Sequence, residues 1–231
     1  DNVNTIVAIP GGTLVEGADF YSDPVISPDG KFLAWLQWNH PNMPWDGTEL
    51  WVAVFNADGS VGSREKIAGG SRESIFQPEW SPDGALFFVS DRTGWWNLYR
   101  WRGLSVEAVH PMAAEFGKPQ WTFSMVTYAF VDENRIAATY TEGGRWKLAL
   151  IDPNAKRFTP LDLPIEPVEG IKAREKEIYF IGGSPTEPTG VFRYSNGQLR
   201  ELRLLDEPIV ATNVVFMGRG EPMMNCPAAD P

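Results

Sequence analysis

Two imidazoles, thirty carboxylates and twenty cationic side chains are what this 231-residue chain has for acid–base or nucleophilic chemistry. His40 and His110 are the candidate bases, and no Ser/His/Asp order can be argued from them. No Gly-x-Ser-x-Gly nucleophile elbow occurs: Gly182-Gly183-Ser184-Pro185 and Gly59-Ser60-Val61-Gly62 both fail the pattern. The one cysteine, Cys226, excludes an intrachain disulfide and any three-thiolate cluster. Asp132-Glu133-Asn134 and the Asp-Gly pairs have the residue types for a cation, but turn chemistry explains them more simply. No metal and no cofactor is expected. What remains suits contact rather than catalysis: His40, Trp45, Asp46, Arg92 and Trp95, whose indoles and guanidinium can stack on or pair with a ligand. The competing expectation is that Trp45 and Trp95 pack inside the fold. Asp91, Arg92 and Glu73 likewise read either as a channel lining or as a solvated loop.

The elements that must position these residues follow from a repeat. Ser27-Pro28-Asp29-Gly30 recurs 54 residues later as Ser81-Pro82-Asp83-Gly84, each followed by a run apolar on both faces (Phe32 to Leu36; Leu86 to Val89). Pro fixes the first corner of such a turn, Asp bonds to the backbone that follows, and Gly takes the left-handed position. Around each copy the chain reads as four strands, and two more degenerate copies follow, giving units at about 23–68, 77–109, 127–161 and 170–204. Pro119-Gln120-Trp121 mimics Pro78-Glu79-Trp80 but comes too early and reads as part of a longer linker. Repeats of four strands whose middle members are apolar on both faces predict an all-β fold, a β-propeller of four-stranded antiparallel blades. Residues 3–16 read as two further strands. With strands at 208–211 and 213–217 in the tail (206–231) they could build a composite fifth blade. Otherwise the chain is an arc whose open edges would self-associate. In a blade, the loop carrying His40, Trp45 and Asp46 shares a face with the loops joining one blade to the next, where ligands usually bind.

Composition limits the partners. Net charge is −10 and pI about 4.7, against a nucleic-acid or anionic-membrane partner, whose binding needs clustered Lys and Arg. No 18-residue apolar run and no signal-peptide pattern is seen, so a cytoplasmic location is expected.

Several segments carry a resemblance to a known family. They are residues 38–52 (Trp38-Asn39-His40-Pro41 through Trp51-Val52), Ser74-Ile75-Phe76-Gln77-Pro78-Glu79-Trp80 with the turn after it, Ser90-Asp91-Arg92-Thr93-Gly94-Trp95-Trp96-Asn97-Leu98-Tyr99, Glu115-Phe116-Gly117-Lys118-Pro119-Gln120-Trp121 and Gly182-Gly183-Ser184-Pro185-Thr186-Glu187-Pro188. Over about residues 5–204 the chain resembles the propeller domain of prolyl-oligopeptidase-family serine peptidases of the dipeptidyl or acylaminoacyl type. In that family a seven- or eight-bladed propeller precedes an α/β-hydrolase domain and restricts access to its active site. The resemblance implies a propeller without the catalytic Ser, Asp and His, which lie in the absent hydrolase domain. Residues 212–225, with Gly218-Arg219-Gly220-Glu221-Pro222, instead resemble a segment that helps hold S-adenosylmethionine in radical-SAM rRNA methyltransferases. One cysteine cannot hold that family's cluster, so the tail reads as a fused fragment without methyltransferase activity.

The expected function is therefore a noncatalytic propeller that binds a peptide or protein. The alternatives are a subunit whose hydrolase lies on another chain, and a propeller enzyme in its own right. For a glycosidase, two carboxylates would have to face one pocket, and the sialidase Ser-x-Asp-x-Gly-x-Thr-Trp box is absent.

Overall fold

The computed structural model of the protein describes residues 3–204, and every regular element in that span is a strand. A short hairpin, β1 (Ile6–Val7) and β2 (Thr13–Val15), precedes four antiparallel meanders. The first is β3 (Phe20–Ile26), β4 (Phe32–Trp38), β5 (Glu49–Phe55) and β6 (Val61–Gly69); the second is β7 (Ile75–Trp80), β8 (Leu86–Ser90), β9 (Asn97–Trp101) and β10 (Val106–Ala108). The third is β11 (Tyr128–Asp132), β12 (Arg135–Glu142), β13 (Arg145–Asp152) and β14 (Arg157–Leu161), and the fourth β15 (Glu166–Arg174), β16 (Glu177–Ser184), β17 (Glu187–Ser195) and β18 (Gln198–Leu204). Strand neighbours in each sheet follow chain order, the meander of a propeller blade.

The apolar clusters lie between sheets rather than within them. Successive side chains of a strand point to opposite faces, and the middle strands use both. On β8, Leu86 and Phe88 join Ala34, Leu36, Leu50 and Val52 of the first sheet. Phe87 and Val89, one residue out of phase, join Tyr128, Ile136, Ala138 and Tyr140 of the third. The pattern repeats on β12, where Ala137 turns to Ile171, Ile178 and Phe180 of the fourth sheet. On β4, Leu33 and Trp35 turn instead to Ile6 and Val15 of the opening hairpin. First strands touch one another across sheets, β3 against β7 and β11 against β15. The fourth strands β6 and β14 are largely exposed. This radial order makes the fold an all-β propeller. The far face of the fourth sheet differs from strands β4, β8, β9 and β12: Tyr179, Ile181, Val191 and Arg193 are half-buried, whereas those four strands are buried on both sides.

The repeated turn is built as its residues dictate. The Gly30 N–H donates to Ser27 O (2.8 Å) and the Gly84 N–H to Ser81 O (2.9 Å), with φ of 75° and 85° at the two glycines. Ser27 Oγ donates to Asp29 Oδ1, and Lys31 N–H donates to that same oxygen. These bonds hold the Asp29 carboxyl below the usual carboxylate range, the Ser27 hydroxyl contributing most. Asp132 is held by the same local chemistry, accepting from the Asn134 N–H and from Arg135.

Strand bounds depart from the sequence pattern where the ladder is irregular. The first strand of the first sheet begins at Phe20 rather than Pro24, because a bulge between Ser22 and Val25 lets pairing with β4 resume upstream of the proline. A like bulge interrupts β7 between Phe76 and Glu79. Asp23 and Gln77, at the same repeat position, take left-handed φ of 48° in these bulges. β17 runs Glu187–Ser195, longer than the Gly190–Tyr194 expected, since the Ser184–Glu187 turn extends the hairpin. The strands expected at 208–211 and 213–217, the composite fifth blade they would complete and Cys226 lie outside the described residues.

Candidate ligand-binding face

One face is formed by the loop 39–48 between β4 and β5, the loop 91–96 between β8 and β9, and the inter-sheet linkers 70–74 and 109–127. Backbone and hydroxyl groups weld these into a layer. Thr48 N–H donates to Glu73 O (3.0 Å), Ser74 Oγ to Pro44 O (2.7 Å), and Ser74 N–H to Asp91 Oδ1 (2.7 Å). Glu73 then pairs with Arg92 at 2.7 Å, and the Arg92 guanidinium lies 4.9 Å from the Tyr99 ring centroid. Burial, with the Glu73 charge adding to it, pushes the Asp91 carboxyl up, while the Ser74 N–H opposes.

The five sequence candidates are placed as follows. Arg92 is committed to Glu73 and Ser90. Asp46 Oδ2 accepts from the Met43 N–H (3.0 Å), closing its own loop. His40 faces away from Arg92 in its bonding: its Nδ1 and backbone N–H both meet Asp19 Oδ2, and its ring sits on Phe20. The His40 backbone N–H is the main reason the Asp19 carboxyl is held low. Trp45 is half-buried, its ring 4.2 Å from that of Trp121. Trp95 is 43% exposed. Its neighbour Trp96 is the indole that packs between blades, against Phe76 in the cluster joining the second and third sheets. Loop 39–48 and loop 91–96 are thus joined through linker 70–74, while His40 bonds to Asp19 and lines a smaller cavity with Gly70 and Ser71.

The residues that organise this face came from the linker. Segment 119–124 leaves the second sheet and reaches the first. Trp121 packs on Trp45 with the rings tilted by 45°, and the Gln120 Nε2 donates to Asp23 Oδ2 (2.6 Å). Phe123 and Ser124 line a cavity of about 540 Å3 together with Thr5, Ile6, Val7 and the bulged stretch Tyr21–Val25. Trp121, Phe123 and Met43 are exposed. Two glutamates anchor the linkers by one device: Glu115 Oε2 accepts the Trp96 N–H (2.8 Å) and Glu166 Oε2 the Trp146 N–H (2.9 Å). Gly117 lies so close to the Trp96 indole that no Cβ fits there. A Trp followed about twenty residues on by Glu, in both the second and third repeats, was the available sequence signal for these anchors.

Near the axis, burial raises the Glu79 carboxyl, against the Gln77 amide and Lys172. Lys118 is lowered by burial, its Nζ donating to Val168 O (3.2 Å) above the Trp146 ring. The imidazoles do not meet a serine: His40 holds Asp19, and His110 stacks flat on Phe158 at 4.5 Å. Among the described residues no three His, Cys, Asp or Glu side chains converge as a cation site, and no helix is long and apolar enough to cross a membrane.

An all-β propeller with welded loops on one face defines the class. Within it, the chain is similar to a puromycin-hydrolyzing peptidase of Mycobacterium tuberculosis, with 37% identity and a TM-score of 0.78 over 83% of this chain and 30% of that one. A second solved structure, a puromycin hydrolase, is 31% identical with a TM-score of 0.79, covering 85% of this chain and 31% of its own. In fold and sequence, then, the chain matches the propeller portion of prolyl-oligopeptidase-family puromycin hydrolases, and it spans about 30% of their length. TolB from Acinetobacter baumannii shares the fold at 18% identity and a TM-score of 0.54. A separate 35-residue stretch, 15% of the chain, is 63% identical to a probable dual-specificity RNA methyltransferase RlmN of Gemmatimonas aurantiaca and covers 10% of that protein. No family model matches the chain.

Proposed function

We propose that this propeller binds short peptides or aminoacyl compounds on its loop face and contributes no catalytic group of its own. The observation that carries the reading is segment 119–124, which spans from the second sheet to the first and presents Trp121 and Phe123 to solvent beside a cavity of ligand size. Exposed aromatic rings grouped on one face mark a contact surface rather than a solvated one. The similar structures, all three named for acting on puromycin and one of them held in complex with PGG, support a small aminoacyl or peptide ligand. The two imidazoles are engaged with Asp19 and with Phe158 rather than with a serine hydroxyl, which supports a binding role. The test pairs two assays on the purified chain: fluorogenic-peptide hydrolysis, expected at background, and tryptophan-fluorescence titration with short peptides, expected to saturate. Turnover that co-purifies with the chain overturns the noncatalytic role, and a flat titration overturns peptide binding.

A second reading has its own support in the half-buried far face of the fourth sheet: the chain acts as part of an assembly whose hydrolase is elsewhere. Solution mass, alone and mixed with a separately expressed hydrolase domain of this family, tests it.

A further inference from the structure

We propose that the cavity formed at the repeated turns of the first two blades receives a proline-rich segment of a partner protein that carries an arginine. The site is separate from the loop face and does not rest on the reading above. β4 begins at Phe32 beside the Ser27–Gly30 turn and ends at Trp38 beside loop 39–48, so roughly 20 Å of strand lies between the two. The cavity, about 490 Å3, takes in Pro28 and Pro82 of the two turns and the rings of Phe32, Trp80 and Trp101. These rings run in series from the first blade into the second: the Phe32 and Trp80 centroids are 6.2 Å apart, and those of Trp80 and Trp101 6.4 Å. A polyproline II segment advances about 3.1 Å per residue, so its alternate residues can meet successive rings. Such a segment is extended before it binds and loses little entropy on docking against aromatic side chains.

The fold itself does not require an open ring here. Leu86 holds the position of Phe32 in the next repeat, two residues after the turn glycine, and is fully buried, whereas Phe32 is 36% exposed. Val54, the ladder partner of Phe32, is exposed as well. Charge then selects the ligand. Asp83 Oδ2 is already paired with Arg102 at 2.7 Å. Asp29 is matched less well: its Oδ1 serves the turn, and its Oδ2 meets Lys31 Nζ at 3.6 Å, a pair exposed at both ends and of little worth. A guanidinium brings planar paired donors for a carboxylate and a flat face for an aromatic ring. The chain's net charge of −10 favours a basic partner over an acidic one.

The test uses the full chain and three peptides blocked by N-acetylation and C-amidation: Pro-Pro-Arg-Pro-Pro, Pro-Pro-Glu-Pro-Pro and Gly-Gly-Arg-Gly-Gly. In calorimetric titration the first is expected to saturate, and each of the other two to bind at least tenfold more weakly. Asp29→Asn keeps the oxygen that closes the turn and removes the charge; it is expected to weaken the first peptide at least fivefold with an unchanged melting point. Phe32→Leu installs the residue that the second repeat carries at this position, and it should weaken the same peptide to a similar extent. No saturation by the first peptide at millimolar concentration overturns the proposal and leaves the loop-face reading standing. Equal affinity for the arginine and glutamate peptides overturns the role of Asp29, and equal affinity for the proline and glycine peptides overturns the proline preference; neither comparison needs a variant. Binding that neither Asp29→Asn nor Phe32→Leu weakens overturns the placement in this cavity.

Discussion

Gln77 and Tyr128 hold each other from neighbouring blades through three hydrogen bonds. The Gln77 Nε2 donates to Tyr128 O (2.8 Å), the Tyr128 hydroxyl donates back to Gln77 O (2.8 Å), and the Tyr128 N–H reaches Gln77 Oε1 (3.3 Å). The Thr127 N–H adds a fourth to the same oxygen (2.6 Å). Burial pushes the Tyr128 phenol far above its ordinary value, so it stays a donor. Where two first strands would otherwise leave buried backbone groups bare, one side chain bonds them.

Gln77→Ala should therefore be costly. It strips partners from the buried Thr127 N–H and Tyr128 O, and a left-handed alanine replaces the glutamine. The expected loss is about 3 kcal/mol, read as a fall of roughly 10 °C in the melting midpoint. Gln77→Gly relieves the backbone but not the bonds and should recover only a small part. A melting point within a degree or two of wild type for Gln77→Ala would sink the role assigned to this side chain.

The two faces of a blade predict unequal mutational costs. Phe87, 2% exposed in the cluster between the second and third sheets, should cost about 3–5 kcal/mol on truncation to alanine. Ile181, half-buried on the far face of the fourth sheet, should cost less than about 1.5 kcal/mol. Urea titration of both variants measures this. Equal costs would mean that the far face is covered in solution.

Glu79 gives a pH dependence whose sign is fixed. Its folded-state pKa is raised, chiefly by burial, so the folded chain binds its proton more tightly than the unfolded chain does. Stability then falls as pH rises from about the ordinary glutamate value through the raised one. Glu79→Gln should flatten that segment of the profile and stabilise the protein at neutral pH relative to mildly acidic pH. Urea midpoints of both proteins at pH 4.5 and 7 decide it, and parallel profiles refute it.

Trp121→Ala separates ligand contact from folding. The residue is 72% exposed and touches the fold through Trp45. Its loss should change stability by less than about 1 kcal/mol while weakening short-peptide binding by roughly 1–3 kcal/mol if a ring or peptide plane stacks there. Calorimetric titration beside a thermal melt distinguishes the two, and unchanged affinity removes Trp121 from the proposed surface.

The architecture was legible because its signals are local and periodic. Ser27 to Gly30 and Ser81 to Gly84 carry their own turn bonds, and the doubly apolar β4 and β8 announce burial on both faces. The candidate face was legible only in part. Asp23 and Gln77 adopt left-handed backbone without being glycine, which no sequence rule marks, so the bulges at the axis stayed invisible. The partnerships of Gln120 with Asp23 and of Trp121 with Trp45 join residues far apart in the chain, and no periodicity reports such a crossing. Trp95 and Trp96 show the limit at its finest: adjacent and identical in the loop before β9, one is 43% exposed and the other packs between blades against Phe76, a choice set by how that loop folds.

The apolar clusters straddle neighbouring sheets, so the unit that repeats in sequence and the unit that is stable are offset by half a step. A duplicated or deleted repeat brings with it one half of each of two interfaces, and those halves differ, aromatic-rich between the second and third sheets and more aliphatic between the third and fourth. Adding or removing a blade therefore obliges the core at each new junction to repack.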